Sequence, residues 1–364
     1  MLRELEDGAR GRSVIRREGD VLFVEGRGTG LSHAVTYLLE ALGCRYLWPG
    51  ATGKVIPKGT EIVVPEIALD FVPVLKQREI RDYYVSRRVP DDPRFRRLGL
   101  DQATFDRFHA AERFDRPGNR DFWEWHGVND GTDLEGKYVW NHYFLDYWQK
   151  YGKDHPDWFA LQPNGSRYQD LGNRPERPCL CLSNEGLIEQ VARDHIERFR
   201  REPETVALSV CLPDGGHPSP CMCAKCRALD PVNAVVSPFT KMYFGAPVHA
   251  ARPYVALTDR VLWFANRVQE RIRAACPGRK VTNYVYSNYI DPPVKVRPDP
   301  DLVLLSVAGE YVADMYRRWP TDNLSAWSRF GNMLFWRPNA LWGFGLGLPQ
   351  NFGRAIFNDI ETFA

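Results

Sequence analysis

Asp214 follows an apolar run, residues 206–212, that passes straight into the turn Pro213-Asp214-Gly215-Gly216. An acid at the end of a strand keeps a fixed position while its carboxylate faces a cleft, and strand C-termini are where parallel α/β barrels hold their chemistry. Asp and Gly also suit a tight turn, so a turn cap is the bland alternative. Glu310, in Val307-Ala308-Gly309-Glu310-Tyr311, stands in the same relation to the apolar run 302–308. Its bland alternative is a salt bridge to a loop arginine. Asp291, ahead of Pro292 and Pro293, is a third acid with the look of a turn residue.

A second group of reactive side chains follows Asp214. Cys221, Cys223 and Cys226 form a Cys-x-Cys-x-x-Cys cluster, and Cys179 and Cys181 lie upstream. Thiolates two and three residues apart reach one tetrahedral ion, so a structural zinc site is one reading, with Cys179, Cys181 or His217 as the fourth ligand. Disulfides that pin the loop and reduced thiols are the other two, and spacing leaves all three open. Cys44 and Cys276 sit in apolar helical contexts and read as core.

The elements that must position these groups fall into two parts. Over residues 1–70, segments 13–16 and 21–25 alternate like paired strands, and Leu31, Val35, Leu38 and Leu42 follow helical spacing up to Gly43. Gly26, Gly28 and Gly30 read as a tight strand-to-helix turn, because no second apolar strand with a following acid completes a dinucleotide-binding unit. Short strands broken by prolines are expected at 45–50, 54–57 and 61–65. Residues 71–364 then alternate strands and helices, the pattern of a (β/α)8 TIM-type barrel. The expected strands are 77–82, 122–126, 158–162, 206–212, 281–287, 302–308 and 332–336. Ile188, Val191, Ile196 and Phe199 mark one helix face, and Leu257, Val261, Phe264, Val268 and Ile272 another. Seven strands are countable, so the barrel reads as truncated before its eighth or closed in another way. The aromatic-rich stretch 105–159 reads as an elaborated loop, not a disordered linker.

The 364 residues are 44% hydrophobic and carry a formal charge of +2, with both signs interspersed. This leaves out the basic footprint of a nucleic-acid binder. No run of eighteen apolar residues points to a membrane span, and the first residues lack the apolar core of a signal peptide.

Three segments carry a resemblance. GTGLSHAVTYLLEALGCRYLWPG followed by KVIPKGTEIVVPE resembles the small α/β domain that precedes the barrel in alpha-glucuronidases and beta-hexosaminidases. NHYFLDYWQKYGKDHPDWFALQPNGSR with PCLCLSN, and SVCLPDGGHPSPCMCAKCRALDP, resemble a bacterial domain of unknown function placed beside those glycosidases. Together they span most of residues 20–310. The resemblance implies a glycosidase-type barrel and an extracytoplasmic home, which would suit disulfides.

Glycoside hydrolysis uses two carboxyl groups, one protonated towards the leaving group and one ionised as nucleophile or base. Asp214 as general acid and Glu310 as partner are the expected pair, with Asp214 raised in pKa. Sugar faces lie against aromatic planes, and Trp123, Trp125, Tyr138, Trp140, Tyr284, Tyr286, Tyr289, Trp336 and Trp342 fall near expected strand ends, though any one of them also suits a core. Arg78 and Arg81 offer forks for a uronic carboxylate, and His126, Asn141 and His142 offer partners for hydroxyls. No organic cofactor is expected, and the expected partner is a glycan. A non-catalytic carbohydrate-binding barrel shares the aromatics. A metal-dependent hydrolase would draw on His126, His142, His217 and Asp214, without a recognised ligand spacing. Asn164-Gly165-Ser166 and Asn323-Leu324-Ser325 match glycosylation sequons, with unmodified residues favoured.

Overall fold

The computed structural model describes residues 1–59, 61–75, 77–78, 99, 101–104, 107, 120–128, 137–169, 178–213, 220–232, 256–307, 318–337 and 358–361. The chain forms two compact units, Met1–Glu135 and Gly136–Ala364.

In the first unit, β1 (Leu2–Glu4), β2 (Ser13–Glu18), β3 (Val21–Gly26) and β6 (Leu69–Phe71) make a sheet in the order β1-β3-β2-β6. Helix α1 (Thr29–Ala41) packs on it, and Ile15, Val24 and Ala34 form the buried centre. The turn into α1 explains its glycines. Gly28 has φ 57°, and a Cβ on Gly30 would lie 2.0 Å from the Arg12 carbonyl oxygen. Ser13 Oγ donates to the Gly30 carbonyl at 2.8 Å, which locks this close approach. Gly43, at φ 92°, ends the helix as expected. A small ladder joins β4 (Arg45–Tyr46) to β5 (Lys54–Val55). The strand expected at 61–65 is not formed; the sheet takes β6 instead, where Arg12 pairs with Asp70. Cys44 is only partly buried and lies between α1 and β4, outside the core.

In the second unit, the main-chain bonds of 137–143 run parallel to β7 (Ala207–Ser209), with bridges Tyr138 to Ala207 and His142 to Cys211. Three more parallel strands follow in chain order: β8 (Lys280–Val285), β9 (Leu302–Ser306) and β10 (Met333–Trp336). Strands β7 to β10 coincide with four expected strands, β8 beginning one residue early. Residues 281–285 and 302–305 are buried throughout, which is why the apolar runs read so plainly.

Helix α2 (Tyr147–Tyr151) precedes α3 (Glu185–Arg201), whose start is set by Asn184 accepting from the Leu187 amide at 3.0 Å. The short α4 (Ala224–Leu229) and long α5 (Thr258–Ala275) come between β7 and β8, and α6 (Arg318–Ser328) between β9 and β10. Helices α3 and α5 pack together, with Arg271 reaching both Glu185 and Glu189. Cys276 caps α5 and is only partly buried.

The sheet is strongly curled. Between 137–143 and β10 lie four strand spacings, about 19 Å in a flat sheet. Yet the Phe335 ring centroid is 5.5 Å from Trp140 and 5.8 Å from Tyr138. Side chains from the two edges meet across a concave face. No closed ring is formed among the described residues, and the architecture is mixed α/β.

Two expected barrel strands are different structures. Residues 120–125 are helical, stabilised by the Arg120–Glu124 pair one turn apart, so the aromatic alternation of 122–126 does not mark a strand. Residues 156–158 form a 3-10 turn, and only Phe159 makes a bridge, to Leu180. At 77–82, Gln77 and Arg78 are not in a strand and the rest lies outside the described residues. Among the described residues no helix is long and apolar enough to cross a membrane.

Candidate functional site

Side chains alternate along β8 and the extended residue that follows it, so Tyr284 and Tyr286 share a face. Trp140 stacks on Tyr284 at 6.2 Å and 10°, and the His142 ring meets Tyr284 at 5.4 Å and Tyr286 at 6.2 Å. These rings gather where the parallel strands end. Tyr284, Tyr286 and Tyr289 are buried against one another and belong to the main core, whereas Trp140, His142 and Trp336 stay partly exposed. Asn141 is exposed, and its carbonyl accepts from Ser209 Oγ.

The orientation of His142 is fixed by its Nδ1, which donates to the Leu212 carbonyl at 2.5 Å and leaves Nε2 as the nitrogen open to a ligand. Beside it a cleft is lined by Leu212, Pro213, Pro220, Arg260, Tyr286 and Asn288. Burial pushes the Cys211 thiol at the base of this region up to about 12, which keeps it protonated and inert.

Arg337, which sequence reasoning missed, directly follows β10. Its guanidinium sits 5.6 Å over the Tyr284 ring, and its buried Nε has no hydrogen-bond partner among the described residues. The available signal was its place one residue past an apolar strand.

The cysteines form a second constellation. The Sγ atoms of Cys181, Cys221, Cys223 and Cys226 all lie within 4.8 Å of one another. Of the three fourth partners left open by spacing, Cys181 is brought into the group; His217 lies outside the described residues. Hydrogen bonds from Cys221 and Cys226 hold the Cys181 pKa below the usual thiol range, while burial pushes Cys179 up to about 12.

Asp214, Glu310, Arg81 and Trp342 lie outside the described residues. Asp214 follows the last residue of β7 in the chain, and Glu310 that of β9. Arg78, Trp125 and His126 belong to the first unit. There Arg78 Nη1 approaches Gly127, Trp125 Nε1 donates to Glu40 at 3.0 Å, and His126 Nε2 meets the Tyr46 carbonyl at 2.9 Å. Trp125 lies within and His126 just after the 120–125 helix, and Arg78 is in neither helix nor strand, so none of the three stands at the end of a barrel strand. Asp291 is buried, with its carbonyl accepting from Thr258 Oγ1. Asn323 is buried and donates to the Ile290 carbonyl, which withholds that sequon from glycosylation; Asn164 is exposed.

A model of the family described as "Domain of unknown function (DUF4838)" matches residues 48–336. No curated protein and no solved structure matches the chain.

Proposed function

Since the chain belongs to the DUF4838 family, whose description leaves its chemistry open, we propose from the site itself that it is a glycoside hydrolase-like protein acting on a polysaccharide or oligosaccharide. In this reading the parallel strands of the second unit are an arc of a (β/α)8 barrel. The contact of Phe335 with Trp140 across four strand spacings carries it, because only a sheet rolled towards a ring brings its edges within side-chain reach. The ends of such strands are where barrels of this kind assemble their active sites.

Asp214 and Glu310 then follow alternate strands of one arc, as two carboxyl groups flanking a glycosidic bond require. Asp214 protonates the leaving oxygen, and Glu310 serves as nucleophile or base. His142 Nε2 accepts from a sugar hydroxyl, Tyr286 offers a ring edge in the cleft, and Arg337 supplies a fork for a uronic carboxylate.

The test is turnover of a panel of polysaccharides and aryl glycosides, acidic and neutral, by the wild type and by Asp214→Asn and Glu310→Gln. Cleavage by the wild type with a loss of 10²-fold or more in each variant is expected. Unchanged turnover in either variant removes that residue from the mechanism, and binding without turnover identifies a carbohydrate-binding barrel.

A further inference from the structure

We infer that Cys181, Cys221, Cys223 and Cys226 bind one zinc ion in a tetrahedral thiolate centre that fixes one wall of the cleft. Four sulfurs at about 2.3 Å from a central zinc lie about 3.8 Å apart. Cys181 Sγ is 3.7 Å from Cys223 Sγ and 3.9 Å from Cys226 Sγ, and all four atoms are mutually within 4.8 Å. A disulfide needs two sulfurs at about 2.05 Å; here Cys181 is nearly equidistant from two partners, an arrangement that surrounds a point.

The surroundings suit an anionic cluster. Zinc with four thiolates carries two negative charges, and donors to sulfur spread that charge. The Leu161 amide donates to Cys221 at 3.3 Å and the Cys226 amide to Cys223 at 3.4 Å. Ser183 Oγ is 3.1 Å from Cys226 Sγ, and the Arg167 guanidinium, anchored by the Phe159 carbonyl at 2.6 Å, brings positive charge beside Cys181. Burial of Cys181, Cys221 and Cys226 excludes competing water.

The ligands come from two distant places in the chain. Cys181 leads into α3, whereas Cys221 and Cys223 precede α4 and Cys226 lies within it. Cys221 also lines the cleft beside Pro220, so an ion behind it joins that wall to the segment before α3. Four thiols lose their protons on binding, and no oxidant is involved.

The test is elemental analysis of full-length protein purified without chelator or a metal-affinity tag, with replacement by cobalt(II). About one zinc per chain is expected. Cobalt should give the intense thiolate charge-transfer bands of a tetrahedral sulfur site. Cys181→Ser should lower zinc affinity by at least tenfold, whereas Cys179→Ser should leave it unchanged. If Cys181→Ser fails to fold, the cobalt spectrum and a thiol count on denatured, chelator-treated wild type decide: all eight cysteines should titrate, and a disulfide within the four would remove two. Absence of metal, a disulfide within the four, zinc retained by Cys181→Ser but lost from Cys179→Ser, or iron in place of zinc would each overturn the assignment.

Discussion

Arg260 of α5 grips Asp230 with two nitrogens, Nε to Oδ1 at 2.8 Å and Nη2 to Oδ2, while its Nη1 donates to the Cys221 carbonyl at 2.9 Å. One buried guanidinium thus ties the cysteine segment to a core helix. Removing one member of such a pair strands the other charge. Asp230→Ala is therefore expected to destabilise the protein by about 3 kcal/mol in urea unfolding, and Arg260→Met with Asp230→Leu to recover part of the loss. Equal stability of wild type and Asp230→Ala would show that the fork is ornamental.

His195 gives the fold an acid sensitivity. It is fully buried in α3, its Nε2 donates to the Ser209 carbonyl at 3.0 Å, and burial lowers its pKa to about 4 from 6.5. The folded state therefore resists a proton that the unfolded chain accepts. Its contribution is complete above pH 6.5 and fades as pH falls towards 4, by about 3 kcal/mol over that window. Unfolding midpoints across this range should fall less steeply in His195→Gln, and parallel slopes would assign the sensitivity elsewhere.

Gly30 tests the packing of α1 on β2. A methyl group placed 2.0 Å from the Arg12 carbonyl oxygen forces the main chain apart, since no flexible side chain is there to yield. Gly30→Ala should cost about 3 kcal/mol, read as a lower melting temperature, although alanine favours helix in general. A rise in melting temperature would contradict the close approach.

In the proposed function Arg337 is the residue expected to separate acidic from neutral ligands. If its fork meets a carboxylate, Arg337→Ala lowers affinity for a uronic-acid glycan by about 10- to 100-fold and leaves a neutral glycan nearly unchanged. Arg337→Lys should recover only part, because an ammonium lacks the planar fork. Equal losses for both ligands in a binding titration would reduce Arg337 to a packing role over Tyr284.

The parallel strands were legible because their buried runs, such as Leu302–Ser306, are apolar over their length and bounded by turn residues. Residues 122–126 misled because alternating aromatics mimic a strand, while the Arg120–Glu124 spacing that supports a helix is weak beside them. The segment 137–143 was hidden for the opposite reason. Its links to β7 are two separate bridges, and Asn141 and His142 break its apolar character. The cysteine cluster was visible in the chain, but Cys179 and Cys181 are two residues apart, and an extended backbone turns both to the same side. Only the fold brings Cys181 into the group. Arg337 was hard to read as a candidate because its one signal, a place just past an apolar strand, does not distinguish an arginine over a tyrosine ring from one in solvent.

The meeting of Trp140 and Phe335 also governs how this molecule can change. In the proposed reading their contact fills the concave face of the sheet, so a glycan would approach from the segments that follow the strands. On that reading, substitutions in those segments would alter which glycan is accepted without disturbing the Trp140–Phe335 contact, and specificity and folding would be free to diverge.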